Sequence, residues 1–254
     1  MRLKAFICDV LAREFYYWSA LSPHTIDIEL LSSENHEYPK EINRILQSKI
    51  DCLDKEKHKY DYILLGYGLC GKVLEGIESK DIPMIISRAH DCITFFMGSK
   101  EKYNEYFINN AGTMYYIESW IERNGLKKER KELEAIGLDG TYEEYEKKYG
   151  EEGAKYLIEL ANEWKNKYNK ALYIASELTN QTFSNNYVNE VKKLACERNW
   201  SFDEIKENSS LIKKMVFGEW NDKEFHMVPS FSKIYQTVDE RIVSSYACDN
   251  LKVI

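Results

Sequence analysis

Short apolar runs alternate with helix-like stretches along the first hundred residues of the chain. Strand-like runs cover residues 3–7, 25–31, 62–65 and 82–86, and apolar side chains at helical spacing predict helices over residues 11–21 and 39–53, near residues 73–77 and from residue 94. Strands that alternate with helices pair in parallel, because each helix carries the chain back across the sheet. The pattern therefore predicts an α/β fold with a doubly wound, mainly parallel, Rossmann-like sheet.

The remainder of the chain predicts additions to this sheet. Residues 124–170 are rich in Glu, Lys and Tyr and predict a helical insertion. Strand-like and helix-like runs resume after the insertion, so residues 171–254 predict a C-terminal α/β part that completes the same fold. In this division, residues 1–123 form the α/β domain that carries the candidate site.

Cysteines follow three of the predicted strands. Cys8 comes directly after the first run, Cys70 lies in the loop after the third, and Cys92 lies in the loop after the fourth. Open α/β sheets bind ligands at the carboxyl ends of their strands, and a strand order of 2-1-3-4 puts these three ends side by side. We therefore predict a metal ion or iron–sulfur cluster with the three thiols and His90 as ligands. The width of three strands favours the larger cluster over a single zinc ion.

Polar residues that precede Cys92 suggest catalytic roles. His90 is predicted to act as a ligand or a proton donor, and Arg88 and Asp91 are predicted to orient the substrate and the ligands. A second hypothesis is a thiol enzyme without a metal, in which Cys92 or Cys70 attacks the substrate and His90 transfers a proton. The simplest alternative for each cysteine is a small apolar side chain of the core.

The other cysteines and one further histidine are weaker candidates. Cys52 and Cys196 lie in helix-like stretches, which predicts structural roles. Cys248 lies in the tail and His226 lies in a strand-like run. The sequence leaves open whether either of these two joins the site.

A glycine-rich loop follows the third predicted strand. Gly66, Tyr67, Gly68 and Gly71 match the pattern G-x-G-x-x-G of dinucleotide-binding loops, with a strand before it and a predicted helix after it. In such loops, glycine admits a pyrophosphate to the N-terminus of the helix. The motif follows the third strand rather than the first, so tight packing of the turn is the competing interpretation. Binding of a nucleotide or another phosphorylated ligand by these residues is kept as an alternative function.

The charge and the apolar content limit the kinds of partner. The net charge is -7, and Lys and Arg are interleaved with Asp and Glu, which argues against a nucleic-acid-binding surface. No apolar run approaches the ~20 residues that cross a bilayer, and an acid follows the first apolar run too early for a signal peptide. We therefore expect a cytoplasmic protein whose cysteines are thiols or metal ligands rather than disulfides.

Several strings of the sequence resemble one protein family. The strings are LLGYGLCG at residues 64–71, RAHDCIT at residues 88–94 and GSK at residues 98–100, together with Cys8, RE at residues 13–14, KYG at residues 148–150 and GEW at residues 218–220. They are similar to the family called domain of unknown function 1638, over nearly the full chain. Cys8, Cys70, His90 and Cys92 match its pattern one by one.

The resemblance implies a metabolic context but no particular reaction. Members of this family resemble proteins of anaerobic bacteria and methanogenic archaea that are encoded beside corrinoid-dependent methyltransferases. The resemblance therefore implies a role in one-carbon metabolism, with a corrinoid-related ligand, or with a corrinoid protein or methyltransferase as partner. A third hypothesis follows from it: a non-catalytic adaptor of a methyltransferase system, which uses the insertion around residues 124–155 to bind its partner.

Overall fold

The computed structural model describes residues 1–32, 39–70, 72–124 and 142–248. Contacts divide the chain into two compact units. Unit 1 combines Met1–Tyr106 with Glu207–Ile254, and unit 2 consists of Phe107–Lys206. Within the described ranges, no helix is long and apolar enough to cross a membrane.

The secondary structure follows the predicted alternation of strands and helices through the first hundred residues, except over residues 67–83, where the described residues form no helix. The strands are β1 (Arg2–Cys8), β2 (Thr25–Leu31), β3 (Tyr62–Gly66), β4 (Met84–Ser87), β5 (Thr113–Ile117), β6 (Lys170–Ala175), β7 (Ser201–Lys206), β8 (Phe225–Val228), β9 (Ser232–Gln236) and β10 (Val243–Ala247). The helices are α1 (Ala12–Leu21), α2 (Pro39–Asp51), α3 (Lys55–His58), α4 (Ile93–Met97), α5 (Lys100–Asn109), α6 (Glu118–Asn124), α7 (Tyr142–Asn166), α8 (Gln181–Glu197) and α9 (Ser210–Phe217). A 3-10 turn, Asp9–Leu11, joins β1 to α1.

Unit 1 contains a five-stranded sheet in the order β2-β1-β3-β4-β8. The first four strands are parallel and have the order 2-1-3-4 on which the sequence argument depended. β8 pairs antiparallel with β4, so the sheet is mixed and mainly parallel. β3 and β4 are buried along nearly their whole length, as expected for apolar inner strands. A separate antiparallel pair, β9 and β10, belongs to the same unit.

Unit 2 contains a three-stranded parallel sheet in the order β5-β6-β7. Its core includes Ala171 and Tyr173 of β6 and Val191 and Ala195 of α8. The predicted insertion, residues 124–170, contributes α7 and the start of β6, and residues 125–141 lie outside the described part of the chain. The contacts thus group residues 171–206 with β5 and the later residues with unit 1, a division that differs from boundaries at residues 123 and 170.

The helix predicted near residues 73–77 is wrong, because residues 72–76 form successive turns. Lys72 has a positive φ of 80°, which a helix does not accommodate. The Asn43 side chain of α2 donates hydrogen bonds to the carbonyls of Val73 and Glu75, at 2.7 and 2.9 Å. The Gly76 N–H donates to the Ile234 carbonyl of β9 at 2.9 Å. Local turn hydrogen bonds and contacts with distant parts of the chain therefore hold this segment in place of a regular helix.

The loop after β3 runs beside the loop after β4. The N–H of Leu69 donates to the Ala89 carbonyl, and the N–H of Cys70 donates to the His90 carbonyl, both at 3.0 Å. A Cβ atom on Gly68 would lie 2.6 Å from Asp91 Cα, which is backbone and has no room to move. The absence of a side chain at Gly68 is therefore what lets the two loops pair.

We expect Gly68→Ala to lower the free energy of unfolding by ~2 kcal/mol or more, because the new methyl group collides with backbone atoms of the neighbouring loop. The matched control is Gly76→Ala, where a Cβ meets nothing within 4 Å but φ is +76°. This control should cost about 1 kcal/mol from conformation alone. Urea denaturation of both variants measures the difference. Equal losses would contradict the proposed collision.

Candidate functional site

The candidate site lies where the direction of strand addition reverses. After β1 the chain adds β2 on one side, and then adds β3 and β4 on the other side. Ligands in open α/β sheets bind at such a reversal, outside the carboxyl ends of the strands. Here β1 ends at Cys8, and the loop that follows β3 contains residues 67–70.

Cys8 is held by the sheet. It is the last residue of β1, lies beside Leu31 of β2, and is 6% exposed. Its backbone is extended, with φ of −62° and ψ of 132°, and the 3-10 turn begins at the next residue. The thiol therefore lies at the point where β1 passes into the turn that leads to α1.

Cys70 is held by the pairing of the two loops. Its φ is +41°, in the left-handed region that costs a non-glycine residue roughly 1–2 kcal/mol. The hydrogen bond from its N–H to the His90 carbonyl helps to fix this conformation. Its side chain is half-buried. Strained backbone of this kind is concentrated at functional loops.

Cys92 is the residue that precedes α4 and is 3% exposed. The neighbouring Asp91 fixes the turn: one carboxylate oxygen accepts from the N–H groups of Ile93 and Thr94, at 3.0 and 3.4 Å. The other oxygen accepts from the Tyr103 hydroxyl at 3.0 Å. Burial raises the pKa of Asp91, and these hydrogen bonds oppose that rise. The geometry gives Asp91 the role of fixing the backbone at Cys92.

The three predicted thiols lie near one another. The side chains of Cys70 and Cys92 share a hydrogen bond, and this bond together with burial raises the pKa of Cys92 well above its usual value. The negative charges of Asp91 and Cys8 add to the rise. All six cysteines lie in the described ranges, and each is a thiol rather than half of a disulfide. Thiols from the ends of β1, β3 and β4 thus share one buried neighbourhood.

Tyr67 directs its hydroxyl toward the same neighbourhood. The side chain is 3% exposed, and its hydroxyl has no hydrogen-bond partner among the described residues. Burial raises the pKa of Tyr67 far above its usual range, and the charges of Cys8, Cys70 and Asp9 raise it further. The Tyr67 hydroxyl, near Cys8 and Cys70, and the buried hydroxyls of Ser87 and Thr94 are thus left without a hydrogen-bond partner among the described residues.

His90 and Arg88 are not gathered into this neighbourhood in the same way. The His90 side chain is exposed, and its backbone carbonyl makes the contact with Cys70. The Arg88 guanidinium donates at 2.7 Å to the carbonyls of Asp222, Arg241 and Val243. These contacts give Arg88 a structural role that connects the end of β4 to β10. The catalytic roles of His90 and Arg88 stay predictions.

Of the two tail residues that the sequence left open, His226 has a side-chain partner in β10, and Cys248 makes a backbone contact. Nε2 of His226 lies 2.9 Å from Ser245 Oγ, and burial together with the charge of Arg88 lowers the pKa of His226. The N–H of Cys248 donates to the Phe231 carbonyl. Across the described ranges, no group of three His, Cys, Asp or Glu side chains is arranged to hold a metal ion.

Close packing accounts for two glycines of the glycine-rich loop. A Cβ on Gly66 would lie 2.5 Å from Ile7 Cγ2, and Gly68 faces the backbone of Asp91. Gly71 lies outside the described residues. Because turns follow the loop instead of a helix, it lacks the helix N-terminus that would bind a phosphate.

One residue of the site region was missed by the sequence analysis. Tyr103 contacts Asp91 from α5, twelve residues along the chain, and no motif indicated this contact. Glu14 of α1, which belongs to one of the strings that carry the family resemblance, is completely buried, which is rare for an acid.

A comparison with protein-family profiles identifies the relatives of this chain. The profile described as "Protein of unknown function (DUF1638)" matches residues 30–216. The chain belongs to this family. The matched range contains Cys70, His90 and Cys92, whereas Cys8 precedes it. Neither a curated protein nor a solved structure gives a significant match.

We expect Tyr67→Phe to raise the free energy of unfolding of the metal-free protein by about 1 kcal/mol, because it removes a buried hydroxyl that has no acceptor. The matched control, Tyr103→Phe, removes a hydroxyl bonded to a carboxylate and should lower that free energy by about 1.5 kcal/mol. Urea denaturation of the two variants provides the comparison. A loss of equal size in both would show that the Tyr67 hydroxyl has an acceptor.

Proposed function

We propose that this chain is a cytoplasmic, Rossmann-like α/β protein with a doubly wound sheet that binds a metal ion or an iron–sulfur cluster through Cys8, Cys70 and Cys92. The observation that carries the proposal is the common neighbourhood of three thiols from three strand ends, with Cys70 and Cys92 in hydrogen-bond contact. Thiolates are soft ligands and select zinc, copper(I) and iron–sulfur clusters.

The electrostatics of the thiols support a cation. The neighbouring Cys70, burial and the charges of Asp91 and Cys8 disfavour ionisation of Cys92, so that Cys92 holds its proton in the metal-free protein. A bound cation reverses this effect, because it stabilises the thiolates and releases their protons to solvent. We therefore expect metal binding to strengthen as the pH rises.

The contact between Cys70 and Cys92 bears on the kind of metal. Thiolates around one tetrahedral zinc ion lie roughly 3.8 Å apart, as follows from Zn–S bonds of ~2.3 Å. Cys70 and Cys92 interact directly, which is compatible with one shared ion, whereas the width of three strands favours the larger cluster. Both kinds of centre therefore belong to the proposal. Because no group of three His, Cys, Asp or Glu side chains is arranged for a metal within the described residues, binding also requires the thiols to move together.

The remaining groups have supporting roles in this proposal. His90 is exposed at the edge of the neighbourhood, where it supplies a fourth ligand or a proton donor. The buried Tyr67 hydroxyl donates a hydrogen bond to a thiolate or to a ligand of the metal. The link to anaerobic one-carbon metabolism, with a corrinoid-related ligand or a methyltransferase partner, depends on the family resemblance alone.

The proposal is tested by anaerobic purification followed by metal analysis and absorbance spectroscopy. We expect about one zinc-like ion per chain without visible absorption, or iron with sulfide and a visible charge-transfer band if a cluster is bound. Cys70→Ser and Cys92→Ser should each lower metal affinity at least about tenfold, because each removes a thiolate ligand. Cys52→Ser, which changes an exposed cysteine, should keep the full metal content.

The result that would overturn the proposal is equally specific. Folded, reduced wild-type protein that contains no metal, and takes up none when zinc or iron with sulfide is supplied, lacks the proposed site. Loss of metal in Cys52→Ser to the same degree as in Cys70→Ser would also contradict the ligand assignment.

A further inference from the structure

The contact between Cys70 and Cys92 has a chemical consequence of its own. The two thiols share a hydrogen bond, and neither is in a disulfide. Backbone hydrogen bonds from Leu69 to Ala89 and from Cys70 to His90 hold the two loops together on either side of the pair. The sulfur atoms are thus held near each other by the fold, which is the first requirement for a disulfide.

The two thiols differ in their access to solvent. Cys70 is half-buried, so that a small molecule can reach its sulfur, whereas Cys92 is 3% exposed. Thiol–disulfide exchange needs this combination: one thiol that reacts with an external disulfide, and a second that attacks the mixed disulfide. The left-handed backbone at Cys70 is a further mark of a functional position.

We propose that Cys70 and Cys92 form a reversible disulfide by exchange with low-molecular-weight disulfides. The Cys70 thiolate attacks one sulfur of the external disulfide, forms a mixed disulfide, and releases one small thiol. In the mixed disulfide Cys70 carries no negative charge, which weakens the main influence that keeps the proton on Cys92. Cys92 then loses its proton to solvent and attacks the Cys70 sulfur, which releases the second small thiol. Two electrons pass from the protein to the external disulfide, which is reduced to two thiols, and the protein disulfide is the oxidised product.

This exchange regulates the metal site of the proposed function. A disulfide between Cys70 and Cys92 removes two of the three thiolate ligands, so oxidation and metal binding exclude each other. That consequence rests on the proposed function, whereas the disulfide itself depends only on the contact between the two thiols. The two ideas can therefore fail separately.

The experiment treats the full-length, chelator-treated, reduced protein with glutathione disulfide, followed by thiol titration and mass spectrometry of peptides. We expect wild-type protein to yield one cross-linked peptide pair containing Cys70 and Cys92 and to regain both thiols with dithiothreitol. Glutathione on the exposed Cys52 and Cys196 is recognised in the peptide map as a mixed disulfide. Cys92→Ser should instead keep one glutathione on Cys70. Cys52→Ser should form the same cross-link as the wild type.

Peptide mapping of the wild-type protein tests the proposed disulfide even if Cys92→Ser fails to fold. A stable glutathione adduct on Cys70 in the wild type, a cross-link between other cysteines, or no reaction overturns the proposal. If the reduced protein binds metal but forms no disulfide after the metal is removed, the disulfide proposal alone fails. If the disulfide forms in a protein that binds no metal when reduced, the disulfide is supported and the metal site alone fails.

Discussion

The candidate site depends on the backbone pairing of the two loops that follow β3 and β4. Leu69 and Cys70 donate hydrogen bonds to carbonyls of the second loop, as if the parallel strands continued beyond their ends. Gly68 permits this approach because any side chain there would enter the backbone of Asp91. Without the pairing, Cys70 would have no reason to adopt a left-handed conformation, and its thiol would not meet Cys92. A contact between backbones thus determines the chemistry available to side chains.

Some polar side chains near the thiols stabilise the loops by hydrogen bonds, and others have no hydrogen-bond partner among the described residues. Asp91 accepts hydrogen bonds with both carboxylate oxygens, and Arg88 donates to three carbonyls, so both side chains stabilise the local backbone. Buried polar groups are expected to be satisfied in this way. Tyr67 departs from the rule, as do Ser87 and Thr94, since their hydroxyls are buried and have no hydrogen-bond partner among the described residues. Cys8 and Cys70 raise the pKa of Tyr67, so its hydroxyl is near enough to serve the metal site proposed above.

The sequence predicted the elements that depend on local patterns of apolar residues. It missed the features that depend on contacts between residues far apart in the chain. The four parallel strands of unit 1 were predictable because their apolar runs are compact and separated by helix-length segments. The helix expected near residues 73–77 is replaced by turns, because Asn43 binds two of its carbonyls. The antiparallel β8 and the structural role of Arg88 depend on residues far along the chain, which no local pattern reveals. The strand-end thiols were predictable from topology; the contact between two of them was not.

Unit 1 is formed by two segments that are far apart in the sequence, and this separation has a consequence for folding during synthesis on the ribosome. β4 pairs with β8, and Arg88 binds carbonyls 134, 153 and 155 residues later in the chain. The whole of unit 2 is therefore translated before this edge of the sheet finds its neighbour. Pairing over such separations is slow, because a long loop must close first. During that interval the nascent chain exposes an apolar strand edge and a guanidinium without its acceptors, which makes chaperone binding most valuable at this stage.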